Sequence, residues 1–167
     1  EIHHGKDSQL LSPYINNLGR FYKDTGAYSD SELLLRRSLQ IEMTINPNTS
    51  NVADRLNNLG HLYSIQKDYE HAESTYLEAM TILDTYYAKD FWFTATVLSN
   101  LGMIYLVQKR YNEAEPLLRR AHDINVTVNA NSGTCTNDDH TRTPGAASLA
   151  PGCTRTGYTL TNYTLTG

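Results

Sequence analysis

Cysteine is nearly absent from this chain. There are two, Cys135 and Cys153, both in the polar C-terminal stretch. A secreted disulfide scaffold carries more, so a reducing, cytoplasmic setting is expected. A basic excess is also missing: 14 Lys and Arg stand against 18 Asp and Glu, a formal net charge of −4. A phosphate-binding surface needs the opposite balance, so nucleic acid is not an expected partner. No apolar run approaches the roughly 18 residues of a membrane helix, so no membrane partner is expected either. Glu1 to Leu10 has no positive-then-apolar leader pattern. HExxH, GxSxG, the P-loop and GxGxxG are all missing, which leaves no expected catalytic, cofactor-binding or metal-binding residue. Apolar residues make up 40 % of the chain and charged residues 19 %. That composition is compatible with a folded, somewhat polar domain.

What is present is a repeat. "NNLG" at 16–19 returns at 57–60, and as "SNLG" at 99–102. Taking Gly19, Gly60 and Gly102 as position 0, several other columns repeat. Position −4 is Ile15, Leu56, Leu98; position −1 is Leu18, Leu59, Leu101; position +3 is Tyr22, Tyr63, Tyr105. Tyrosine recurs at +9 (Tyr28, Tyr69, Tyr111), and small residues recur at +12 (Ser31, Ala72, Ala114) and +19 (Ser38, Ala79, Ala121). Isoleucine fills +22 (Ile41, Ile82, Ile124).

Positions −4, −1, 0 and +3 share one helical stripe, so each unit opens with an amphipathic helix, A, burying that stripe. A mid-helix glycine costs about 1 kcal/mol against alanine, which is justified where a neighbouring helix comes close. Breakers such as Asp24-Thr25-Gly26 and Gln66-Lys67-Asp68 end helix A. Positions +12, +16 and +19 then form the inner stripe of a second helix, B. Small residues there let B nest against A. A fixed period of this size marks stacked supersecondary units.

The pattern resembles the tetratricopeptide repeat. The residues that carry the likeness are Leu56, Leu59, Gly60, Tyr63, Ala72, Tyr76 and Ala79 in copy two, and Leu98, Leu101, Gly102, Tyr105, Ala114, Leu118 and Ala121 in copy three. Copy one is degenerate, with serine at +12 and +19. The spacing of 41 and 42 residues, with "LNNLG" and "EAEPLLRRA", is similar to the kinesin light chain subfamily and to nephrocystin-like proteins. The resemblance implies an all-α fold, a right-handed α–α superhelix of three helix pairs. The expected repeats span about 8–47, 48–89 and 90–128. "KD" at 6–7 and "KD" at 89–90 each lie 12 residues before a register glycine. Residues 1–7 are therefore expected to end a preceding repeat of a longer array.

Beyond Val128 the periodicity stops. Residues 129–167 are rich in Thr, Gly, Ser and Asn, and are expected to form a disordered tail that cannot offset its ordering entropy. "YTLTNYTLTG" alternates like a short strand without an obvious partner. Cys135, Asp138, Asp139, His140 and Cys153 in this tail lack ligand spacing and are not read as a metal site. The histidines His3, His4, His61, His71 and His122 are read as surface or groove residues for the same reason.

The better functional candidate is a surface. The resemblance implies that the helix A stripe at −6, −3, +1 and +4 lines a concave groove. The candidate peptide-binding residues are Asn16, Arg20 and Lys23 in copy one, His61, Asn57 and Ser64 in copy two, and Ser99, Met103 and Leu106 in copy three. Pro13, Asp54 and Thr96 occupy the −6 positions. Asparagine amides can bond a peptide backbone of any sequence. Arg20 and Lys23 favour acidic residues, and Met103 and Leu106 suit a bulky apolar one. Kinesin light chain relatives bind short acidic, tryptophan-containing segments in this groove, and the resemblance implies the same mode here. The expected function is a non-catalytic protein-binding module of a scaffold or adaptor. A motor heavy chain becomes a partner only where an upstream coiled coil exists, and this chain has none. Two other readings remain open: the regulatory arm of a larger enzyme or signalling ATPase, and structural filler within a long array.

Overall fold

The computed structural model describes residues 6–88, 91–131, 159–161 and 164–166. Six helices follow one another: α1 (Lys6–Asp24), α2 (Tyr28–Ile45), α3 (Ser50–Ile65), α4 (Tyr69–Tyr86), α5 (Trp92–Val107) and α6 (Tyr111–Asn131). They form three antiparallel pairs, α1/α2, α3/α4 and α5/α6, stacked as a solenoid. Helices α2 and α4 bridge each pair to the next, and the A helices α1, α3 and α5 lie side by side. The fold is the all-α solenoid expected from the repeat.

The register glycines mark the closest approach inside each pair. A β-carbon on Gly19 would meet the Leu35 side chain at 3.0 Å, one on Gly60 the Tyr76 ring at 2.9 Å, and one on Gly102 Leu118 at 2.7 Å. Leu35, Tyr76 and Leu118 all occupy +16, so the missing β-carbon is the hole into which helix B inserts its central side chain. The +12 and +19 residues are fully or nearly fully buried in all three copies.

The A-to-B turns share one geometry. Gly26, Lys67 and Lys109, all at +7, adopt positive φ of 83°, 62° and 62°. The following amide donates to the +3 tyrosine carbonyl each time: Ala27 to Tyr22 at 2.9 Å, Asp68 to Tyr63 at 2.9 Å and Arg110 to Tyr105 at 2.8 Å. This is the Schellman arrangement that satisfies the last helical carbonyls. Asp68 then caps α4 by accepting from the His71 amide, and Thr49 caps α3 by accepting from Val52.

Four expectations require correction. The −4/−1/0/+3 stripe is buried in copies two and three but not throughout copy one: Leu59 is 6 % exposed and Leu101 1 %, whereas Leu18 is 45 % exposed. The reason is that α2 covers α3 and α4 covers α5, while no described helix covers the corresponding face of α1. Lys6 and Asp7, expected in a preceding loop, are already helical in α1. Helix α6 runs to Asn131, past the expected end at 128. The C-terminal "TLTNYTLT" does find a partner, itself: β1 (Thr159–Thr161) and β2 (Thr164–Thr166) pair antiparallel, with Leu160 opposite Leu165. The rest of the tail, with its expectation of disorder and both cysteines, lies outside the described residues. No described helix is long and apolar enough to cross a membrane.

Candidate functional site

Helices α1, α3 and α5 bring the nine candidate residues onto one side of the stack, but in two different states. Asn16 (3 % exposed), Asn57 (8 %) and Lys23 (8 %) are buried between adjacent A helices. Arg20, His61 and Met103 are exposed, and Ser64, Ser99 and Leu106 are half-buried.

The buried asparagines form a ladder. Asn58 Nδ2 donates to Asn16 Oδ1 at 3.2 Å, and Asn100 Nδ2 donates to Asn57 Oδ1 at 2.8 Å. Each −3 carbonyl is thus taken by the −2 amide of the next repeat, and sets the register between A helices rather than standing open to a peptide backbone. The donors were legible in the sequence: position −2 is asparagine in every copy (Asn17, Asn58, Asn100), while the −3 column changes to serine at Ser99. The invariant column is the one that bonds across repeats.

Lys23 and His61 form a second cross-repeat contact. Lys23 Nζ lies 3.0 Å from His61 Nδ1 and 3.5 Å from Asp24. An ammonium only donates, so Nδ1 accepts and the ring proton sits on Nε2. Partial burial and then the Lys23 charge hold the His61 pKa below its ordinary value of 6.5, with Asp24 opposing weakly. The exposed Arg20 guanidinium lies one turn away on α1. The α1/α3 end therefore carries fixed positive charge, and the α5 end presents the Met103 thioether and the side chains of Leu106 and Val107.

A polar network absent from the sequence reading lies beneath this surface. The Ser12 hydroxyl donates to Glu42 Oε1 at 2.6 Å and touches the Ser38 hydroxyl at 3.1 Å. Arg55 Nη2 reaches the same Glu42 oxygen at 3.5 Å. These buried groups tie α1, α2 and α3 together. An ion pair this deep is conditional on its hydrogen bonds, which Ser12 and Asp54 supply.

The opposite edge of each junction has its own clasp. The Tyr63 hydroxyl donates to Glu32 Oε1 at 3.2 Å and accepts from Arg36 Nη2 at 2.8 Å. The Tyr105 hydroxyl donates to Glu73 Oε1 at 2.8 Å, with the Arg110 guanidinium 4.0 Å from the centre of its ring. Burial, reinforced by Glu73, pushes the Tyr105 hydroxyl up to about 12, and the Arg110 hydrogen bond holds Glu73 below its ordinary range. In both junctions the +3 tyrosine of one repeat meets the +13 glutamate of the preceding one.

Among the described residues no three of His, Cys, Asp and Glu gather in a way that could hold a metal.

Two family profiles described as tetratricopeptide repeat match this chain, over residues 4–85 and 94–132. Nephrocystin-3 of Xenopus laevis is 37 % identical over 70 residues, covering 41 % of this chain and 5 % of that protein. Nephrocystin-3 of Homo sapiens is 36 % identical over 77 residues, covering 45 % and 6 %. The match thus spans only about a twentieth of these relatives. The crystal structure of BtubC (BKLC) from P. vanneervenii superposes with a TM-score of 0.66 at 22 % identity, over 83 % of this chain and 53 % of that one. The register glycines, the +16 insertions, the stacked helix pairs and the two profile matches agree: the chain belongs to the tetratricopeptide repeat family.

Proposed function

We propose that this chain is a non-catalytic module, part of a scaffold or adaptor of the kinesin light chain-like kind, that holds an extended peptide across α1, α3 and α5. The peptide is acidic where it meets Arg20 and His61, with the buried Lys23 behind His61, and carries a bulky apolar side chain against Met103 and Leu106. Membership of a family of protein-interaction repeats supports the coarse reading. The single observation behind the finer one is the polarity of the open face: an exposed arginine beside the Lys23–His61 pair at one end, and a solvent-exposed methionine at the other. An exposed apolar group next to fixed charge is what a mixed acidic and apolar segment complements. With the Asn16 and Asn57 carbonyls engaged in the ladder, this reading assigns the peptide backbone to Ser64, Ser99 and water.

Calorimetry with a synthetic peptide of one tryptophan flanked by aspartates tests this. Arg20→Glu and Met103→Asp, both at exposed positions, should each weaken binding roughly tenfold. Equal affinity for a peptide with the aspartates replaced by lysines would sink the reading. The pH dependence has a defined sign. The folded His61 pKa is depressed, so the free fold has its full contribution above 6.5 and loses it as pH falls through the lowered value. An acidic ligand favours the protonated ring, so peptide affinity should rise on acidification across that window. His61→Ala should flatten the profile.

A further inference from the structure

The two ends of the stack carry matching halves of its internal junctions. Each internal junction has three parts. A largely apolar stripe on helix A at −8, −5, −1 and +2, interrupted by the ion-paired Arg55 on α3 and by Thr94 on α5, is covered by the preceding helix B. The +3 tyrosine reaches the +13 glutamate of the preceding repeat. The −2 asparagine donates to the −3 residue of the preceding repeat. On α3 and α5 the stripe is buried from Val52 to Leu62 and from Thr94 to Ile104.

On α1 the same four positions are Leu11, Tyr14, Leu18 and Phe21, all exposed, with aromatic rings at −5 and +2 where the other copies have none. Tyr22 and Asn17, the +3 and −2 residues of that face, have no cross-repeat partner among the described residues. The other end holds the acceptors. Glu115 and Arg119 sit at +13 and +17 of α6 and pair at 2.6 Å, both exposed. They repeat, position for position, the Glu32–Arg36 pair that clasps Tyr63. They border an open pocket of about 560 Å³, lined also by Leu106, Tyr111 and Leu118, on the face where a following helix A would lie. Leu118 is only half-buried there, unlike Leu35 and Tyr76 at the same position. Ser99 is the −3 acceptor with no partner among the described residues.

We propose that the chain stacks head to tail on a second copy of itself, α1 of one molecule taking the place of a following helix A against α6 of another. Tyr22 then meets the Glu115–Arg119 pair, Asn17 meets Ser99, and Leu18 and Phe21 enter the open pocket. The contact is heterologous, so each molecule keeps one free end of each kind and assembly continues with concentration.

Sedimentation velocity over roughly 5–500 µM, the span in which weak interfaces dissociate, is the test. The mean mass should grow with concentration. Phe21→Asp at one end and Glu115→Arg at the other should each leave a monomer with unchanged helical circular dichroism. Both sites are exposed, so the fold tolerates them. Mixing the two variants should restore a dimer and nothing larger, because one complementary pair of ends survives. A chain that stays monomeric throughout the range overturns the proposal. So does an assembly that Phe21→Asp abolishes and Glu115→Arg leaves intact, which marks a symmetric α1–α1 contact, or a mixture that fails to pair.

Discussion

Helices α1 and α3 occupy the same place in the repeat and live in opposite environments. Their register residues align, yet the α3 stripe is buried under α2 while the α1 stripe faces solvent. A column shared between copies therefore reports the pairing capacity of a position; burial depends on which neighbour is there to use it. This is the nearest-neighbour logic of a solenoid, in which stability is a sum of unit and interface contributions. The largest expected effect separates those contributions. Leu101→Ala removes an almost fully buried core side chain, and should cost about 2–5 kcal/mol. Leu18→Ala, at the same position on the open face, should cost only about 1 kcal/mol, since close to half of its surface stays in water and no enclosed cavity is left. Equilibrium urea unfolding measures both. Equal losses would mean that the α1 face is covered in solution.

The second comparison concerns the register glycines. By distance alone Gly102→Ala is the worse substitution, with 2.7 Å to Leu118 against 2.9 Å from Gly60 to Tyr76. The surroundings reverse this order. Tyr76 is boxed in on every side, whereas Leu118 lines an open pocket and can rotate away. Gly60→Ala should destabilise by about 1–3 kcal/mol through overpacking. Gly102→Ala should be close to neutral, its clash relieved and its helix propensity improved by about 1 kcal/mol. Thermal midpoints of the two variants test the order.

The degenerate copy offers a third contrast, between two serines that stand where alanine is found in the other copies. Ser38 bonds the Ser12 carbonyl at 3.0 Å, and its hydroxyl belongs to the buried Glu42–Arg55 network. Ser31 Oγ is buried without a partner among the described residues. Ser31→Ala should therefore stabilise by about 1 kcal/mol, and Ser38→Ala should destabilise by a similar amount, because the first removes an unsatisfied group and the second a buried hydrogen bond. Chemical denaturation of the two single variants gives the signs.

Much of this was readable in the repeat register, and the failures have physical causes. The helix pairs, their turns and the close approach at Gly19, Gly60 and Gly102 follow from spacing and from glycine's missing β-carbon. The groove stripe was harder. Helical geometry puts −3 and +4 on the face opposite the core, yet in a solenoid that face also touches the next helix A. Asn16, Asn57 and Lys23 are consumed there, and only the exposed Arg20, His61 and Met103 keep the character read from the stripe. The buried Ser12–Glu42–Arg55 network left no periodic trace, because it occurs at one junction alone. Which α1 residues stand open was not legible for the converse reason, since periodicity treats terminal copies and internal ones alike.

The smallest expected effect lies in the turns, where the copies differ by a single residue type. All three chain reversals place the +7 residue at positive φ, but only copy one supplies glycine there; copies two and three use Lys67 and Lys109. A side chain in the left-handed region costs about 1–2 kcal/mol. Replacement by glycine relieves that strain while loosening the unfolded chain by about 0.5–1 kcal/mol. The net gain for Lys67→Gly or Lys109→Gly is thus about 0.5–1 kcal/mol, and the reverse change, Gly26→Lys, should lose a similar amount. Neither lysine takes part in a described ion pair, so the backbone contribution is measured nearly alone. Because α3 has neighbours on both sides and α5 is covered on one, hydrogen exchange at the turn amides should register Lys109→Gly as a local gain in protection around Arg110. The same change at Lys67 should spread its gain across α3 and α4. A purely local response at both turns would indicate that the pairs unfold independently, and that the junctions between them contribute less than the buried stripe implies.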